Sequence, residues 1–142
     1  MKTVKQIDLS VENIPGSLSR VSDLMSEYRI NVIACYATAQ EKEFNFHFIA
    51  NDPDKAINVL GTAGYRFDVT EVIACEIPHH PGGLNAILKP LKKADINVDF
   101  MYPCIATGSI AVLIVGLRPI EKALRIFEDN WIRILGDDLY HI

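Results

Sequence analysis

The chain repeats itself at an interval of 66 residues, and that interval limits the folds open to it. Pro15, Gly16 and Leu18 return as Pro81, Gly82 and Leu84. Ile30-Asn31-Val32 returns as Ile96-Asn97-Val98, and Tyr36 as Tyr102. Pro53 is echoed by Pro119 and Tyr65 by Trp131 at the same spacing. One interval without a gap across so many points indicates a duplication, with two copies of one supersecondary unit. The expected units are residues 1–70 and 71–142. With 142 residues and 49% hydrophobic content there is material for a real core, although either half alone is small.

Within the first copy the hydrophobic period changes in a definite order. Ile7, Leu9 and Val11 alternate with Gln6, Asp8 and Ser10, a half-buried strand. Leu18, Val21, Leu24, Met25 and Tyr28 follow at helical spacing. Val32 to Ala39 is a second strand, and Phe44, Phe46 and Phe48 against Asn45 and His47 make a third. Asp52-Pro53-Asp54 opens a second helix, with Asp as cap and Pro at the first helical position. Tyr65 to Thr70 is a fourth strand. The order is β-α-β-β-α-β, which predicts an α+β chain of two tandem ferredoxin-like βαββαβ units, each an antiparallel sheet with helices on one face. The tail from Asp137 to Ile142 is expected to extend the last strand or fray, and Pro90 to bend the helix it lies in.

The open sheet faces read differently in the two copies. In the first it is polar: Gln6, Asp8, Ser10, Asn45 and His47, with His47 read as solvated. In the second, Ile110, Val112 and Ile114 are expected to face the core. Ala111, Leu113 and Val115, with Ala74, would then form an apolar open face, which predicts a homodimer through that patch.

Charge and composition exclude several classes. A net charge of −4 and no basic face argue against nucleic acid, and a solvated helix surface accounts for Lys89, Lys92 and Lys93. No apolar run reaches the roughly 18 residues of a membrane span. The N-terminal residues do not read as a signal peptide. Cys35, Cys75 and Cys104 lack paired spacing and read as reduced thiols of a cytoplasmic protein. His79 and His80 with Cys75 or Cys104 match no standard zinc pattern, and no phosphate loop or catalytic arrangement is readable, so neither a metal nor a cofactor nor an enzyme activity is expected.

What remains are the two strand-to-helix turns. A helix N-terminus presents unpaired N–H groups and a positive dipole end, and so attracts carboxylates. Glycine at 16 and 82 permits close approach to the backbone. Asn13-Ile14-Pro15-Gly16-Ser17-Leu18, followed by Asn31 in Ile30-Asn31-Val32, resembles the ACT domain, an amino-acid-binding regulatory module, and the resemblance covers two tandem copies. It implies a ligand held by the first turn of one module and the second strand of its neighbour. One candidate site is then Asn13, Ile14, Pro15, Gly16, Ser17 and Leu18 with Asn97, Asp99 and Met101, where Asp99 would meet an α-ammonium group. The second is His79, His80, Pro81, Gly82, Gly83 and Leu84 with Asn31, Ile33 and Cys35. The second copy departs from the pattern, with His79 in the place of Asn13, and Val11 stands where some members carry a ligand-binding histidine. The resemblance thus implies a free-standing sensor of a small amino acid that acts on a regulated enzyme partner. A small ferredoxin-like enzyme, a metal carrier or a ligand-free interaction subunit are the alternatives.

Overall fold

The computed structural model describes residues 2–105 and 108–142. The chain divides into two compact units, Lys5–Thr70 and Glu71–Ile142, the latter joined by the N-terminal stretch up to Val4. In the first unit β1 (Val4–Glu12) leads to α1 (Ser17–Glu27), β2 (Val32–Gln40), β3 (Glu43–Ala50), α2 (Pro53–Thr62) and the start of β4 (Arg66–Ile77). The strands lie in the order β2-β3-β1-β4. The second unit takes the rest of β4, then α3 (Asn85–Lys93), β5 (Val98–Pro103), β6 (Ala111–Leu117), α4 (Ile120–Asp129) and the two-residue β7 (Ile134–Leu135). Here β4 lies between β7 and β6, and β5 is the outer strand. Both are βαββαβ ferredoxin-like units with helices on one face.

Each core follows from alternation on the strands and the helical period on the helices. Ile7, Leu9 and Phe48 meet Val21 and Met25 of α1 and Ala56 and Leu60 of α2. Ile73, Cys75, Val115 and Leu117 meet Ile87 and Leu91 of α3 and Ala123 and Phe127 of α4. Asp52 caps α2, its side chain accepting from the Lys55 N–H at 3.1 Å, with Pro53 at the first position as expected. The tail corrects the sequence reading: Asp137–His141 forms a short 3₁₀ helix, anchored by Leu139, which is fully buried.

The repeat interval also changes partway along the chain. Ile7 pairs with Phe48, and Ile73 pairs with Val115. Cys35 also pairs with Phe48, and Met101 also pairs with Val115. The first partners stand 66 apart and the second partners 67. The second unit therefore carries one extra residue in the connection between its middle strands. Beyond that point Ala56 corresponds to Ala123 and Leu60 to Phe127, all in the cores. The Pro53/Pro119 echo is not structural: Pro53 is the first residue of α2, whereas Pro119 is the cap of α4. Nor is Tyr65/Trp131, since Trp131 at φ 61° takes the left-handed place of Gly64 at φ 83°.

A one-residue slip reverses every side chain of a strand. Val115 and Leu117, with Leu113 against them, therefore pack under α3 and α4, so Ala111, Leu113 and Val115 lie on the core-facing side, not the open one. Val112 and Ile114 occupy the other face and are themselves buried, at 3% and 0% exposure. The expected homodimer patch is thus absorbed into the second unit's core.

The first unit's polar face is only partly open, since Gln6 is buried at 1% exposure, and His47 is not simply solvated. Its Nδ1–H donates to Asp8 Oδ1 at 2.7 Å, and its ring stacks on Tyr36 at 4.3 Å between centroids. Gln6 donates to the same Asp8 oxygen at 2.7 Å, and the Thr70 hydroxyl donates to Asp8 Oδ2. Burial, and after it the Asp8 carboxylate, pushes the Tyr36 hydroxyl up. Asp8 is the common acceptor of three donors, so its removal takes an acceptor from each of them. Asp8→Ala is expected to cost about 1–3 kcal/mol in denaturant unfolding, with Asp8→Asn recovering part of the loss.

Candidate functional site

The first turn is built to hold a helix end open. Gly16 caps α1 at φ 88°, a left-handed conformation that side chains rarely adopt. Having no side chain, it brings no side-chain acceptor to the helix amides, and α1 has no acidic residue in its first turn. Ser17 N–H donates to Ile14 O at 3.3 Å and Arg20 N–H to Gly16 O at 3.0 Å. The N–H groups of Leu18 and Ser19 between them have no hydrogen-bond partner among the described residues. Asn13 braces the turn from outside: its N–H donates to Lys42 O at 2.9 Å and its Nδ2 to Glu41 O at 3.3 Å. That fastens the turn to the β2–β3 hairpin and uses one of the two side-chain N–H donors of Asn13.

Two adjacent cavities open at this turn. One, of about 340 Å³, is lined by Glu12 through Ser19 and by Phe44. The other, of about 280 Å³, adds Arg20, Tyr65 and Arg66. Glu12, Ile14 and Ser17 line both. All six expected turn residues, Asn13 to Leu18, thus border one cavity. Phe44, Arg20, Tyr65 and Arg66 were not foreseen. Arg20 was within reach of sequence reasoning, because it stands four residues after Gly16 and so one helical turn above it. The others reach the site through β3 and β4, which only the strand order brings there.

The second turn keeps the glycine geometry and starts its helix differently. Gly82 has φ 81°. However, α3 starts at Asn85, two residues later than the repeat requires, after a run of tight turns. Asn85 N–H, the counterpart of Ser19 N–H, is taken by Gly82 O at 3.0 Å, and Ala86 N–H by Gly83 O at 3.1 Å, while Leu84 N–H, like that of Leu18, has no partner among the described residues. Gly83 is buried so closely against Pro78 that a Cβ there would come within 1.9 Å of the Pro78 carbonyl oxygen. His79, His80 and Leu84 are exposed beside it, and His80 Nδ1 lies 2.9 Å from Pro81 O.

The residues expected to complete each site behave unequally. Asn97 and Asp99 are exposed, and Asp99 Oδ2 accepts from Arg118 Nε at 3.4 Å. Met101 packs against the second unit's core, and Cys35 against the first unit's. Ile33 is buried. Asn31 is pinned by its backbone: its N–H donates to Asn51 Oδ1 at 2.8 Å and its carbonyl accepts from Asn51 N–H at 2.9 Å. No group of three or more His, Cys, Asp or Glu able to hold a metal occurs among the described residues. No helix among them is long and apolar enough to cross a membrane.

The model of the ACT domain pair matches residues 2–140. The chain belongs to that family. ACT domains are regulatory, ligand-binding modules associated with amino-acid sensing, not catalytic ones, so this tandem pair is a regulatory module rather than a catalytic one. No curated protein sequence matches it. Among solved structures, a protein of Bacteroides thetaiotaomicron is similar over 99% of this chain and 98% of its own, at 24% identity and a TM-score of 0.93. The regulatory subunit of aspartate kinase from Thermus thermophilus is similar over 91% of this chain and 92% of its own, at 15% identity and a TM-score of 0.60. That from Thermus flavus is similar over 92% and 94%, at 14% identity and a TM-score of 0.56. These likenesses are of fold.

The thiols take no part in such a site. Burial pushes Cys75 up to about 12, Cys104 up to about 11, and Cys35 up as well. Each protein thiol therefore stays neutral where an unfolded one, near 9.0, begins to ionise. The stability that depends on the neutral thiol is present below pH 9 and declines as pH rises towards 12. At pH 8 a disulfide-exchange reagent is expected to modify Cys75 far more slowly in the folded protein than in denaturant, with the deficit shrinking as pH is raised. Equal rates in both states would contradict this burial.

Proposed function

We propose that the chain is a sensor that binds one small amino acid at the first ACT turn and reports its presence to a partner protein. The observation that carries this reading is the contrast between the turns. At the first turn the consecutive amides of Leu18 and Ser19 are unpaired among the described residues and both residues line a cavity; at the second turn Asn85, the counterpart of Ser19, has its N–H bonded to Gly82 O, and Gly83 packs against Pro78. An α-carboxylate suits the open turn, because it satisfies both amides and complements the helix dipole. The exposed carboxylate of Glu12 lies on the same cavity and suits an α-ammonium. Asp99, given that role by the sequence, is already engaged by Arg118.

A ligand acts only through different affinities for two states, so a binding module without catalysis must bias a partner or an assembly. Aspartate kinase regulatory subunits share the paired fold, which supports an enzyme of amino-acid metabolism as that partner.

Gly16→Asp and Gly82→Asp supply a matched test, since both put a carboxylate on a glycine of nearly equal positive φ. Thermal-shift screening of the twenty amino acids should first reveal a stabilising ligand. Titration calorimetry should then show Gly16→Asp lowering its affinity by about tenfold or more, with Gly82→Asp close to wild type. Asn97→Ala in the same titration reports whether that asparagine contributes. Equal losses in the two glycine variants would overturn the assignment to the first turn. No stabilisation by any amino acid would favour an interaction subunit that binds no ligand.

A further inference from the structure

The cavity beside the first turn carries a charge that a neutral amino acid would leave unused. Arg20 lines it, and its guanidinium has no hydrogen bond or ion pair among the described residues. Arg66, on the same cavity, is by contrast paired with Glu43. Arg20 is also placed against its own helix. It closes the first turn of α1, where the dipole is positive and an acid is the favoured residue. The first turns of α2 and α4 follow that preference, with Asp54 and Glu121. The second unit has Ala86 at the position of Arg20 and so carries no charge there. An unpaired cation on the positive end of a helix with no acid in its first turn is a local conflict of the kind proteins keep for function. An anion in the cavity removes the conflict.

We infer that the ligand of the first turn is an amino acid with an anionic side chain, whose second acid group is taken by Arg20. The inference rests on reading the first turn as an amino-acid site. The two cavities adjoin at Glu12, Ile14 and Ser17, and the inferred ligand spans both. Its α-carboxylate lies on the amides of Leu18 and Ser19, and its α-ammonium faces Glu12. Its side chain runs past Ile14 and Ser17 towards Arg20, where a carboxylate accepts two parallel N–H bonds. The Tyr65 hydroxyl and the part-neutralised Arg66 line the far side. An amide side chain of the same length keeps the contacts at the head and cannot pair its charge, so discrimination falls between acid and amide.

Titration calorimetry with aspartate, glutamate, asparagine and glutamine on the wild-type chain and on Arg20→Gln tests this. One of the acids is expected to bind at least about tenfold more tightly than its amide to the wild type. Arg20→Gln is expected to bring the acid down to the level of the amide while leaving the amide's affinity unchanged. Arg20 is exposed, so the variant is expected to unfold at the wild-type denaturant midpoint. An acid that binds no tighter than its amide, or a preference that survives Arg20→Gln, would overturn the inference; if another amino acid then binds in a Gly16-dependent way, the sensor reading stands without it. Absence of binding by all twenty amino acids would overturn both.

Discussion

A helix can offer its amides to a ligand only where the chain has not already taken them. In most helices a side chain or a tight turn takes that role, and α2 shows the ordinary solution, with Asp52 accepting from Lys55 N–H. At the start of α1 the left-handed Gly16 turns the chain sharply into the helix and brings no acceptor with it. Asn13 fastens the turn to the hairpin through Glu41 and Lys42, and the amides of Leu18 and Ser19, whose residues line the cavity, are left unpaired among the described residues. The opening is a product of backbone geometry, and the surrounding side chains determine only what fits it.

Most of the architecture was legible because it depends on local periodicity. Each strand and helix of the first unit announces itself by alternation or helical spacing, and its two turns by Pro-Gly or Asp-Pro. What was lost was a single residue between β5 and β6. Nothing in the local pattern of Ala111–Leu117 reveals it, since that strand is apolar on both faces and reads equally well in either register. The Pro119 and Trp131 echoes disguised the slip further, because each falls one place from its true counterpart. Where a strand alternates cleanly, as β1 does, the face was assigned correctly; where it does not, only the pairing of Ile73 with Val115 decides.

The candidate site divides along the same line. Asn13 to Leu18 are contiguous, so the motif itself shows them to lie together. Phe44, Tyr65 and Arg66 arrive from strands that are distant in the chain. Asp99 and Met101 were assigned by spacing on a strand assumed regular, yet β5 has an irregularity between Val98 and Phe100, and Met101 ends on the core face. His47 illustrates the same limit. As a letter on a polar face it looks solvated, and only the register with Asp8 and the proximity of Tyr36 make it part of a network.

The second turn shows what the repeated motif does and does not mean. Gly82 persists at a φ within a few degrees of Gly16, because the chain must still bend from strand into helix there. That need is conformational and exists whether or not a ligand binds. The binding function requires more: amides left unpaired and space in front of them. In the second unit Gly83, lacking a side chain, lets the turn sink onto Pro78, and Asn85 spends its amide on Gly82 O, although Leu84 N–H stays unpaired among the described residues as Leu18 N–H does. Ser17 occupies the corresponding place in the first unit, where a Cβ is tolerated because the turn has not closed. A duplicated glycine is therefore evidence for a duplicated turn, and the residue after it, Ser17 in one copy and Gly83 in the other, is where the two turns begin to differ.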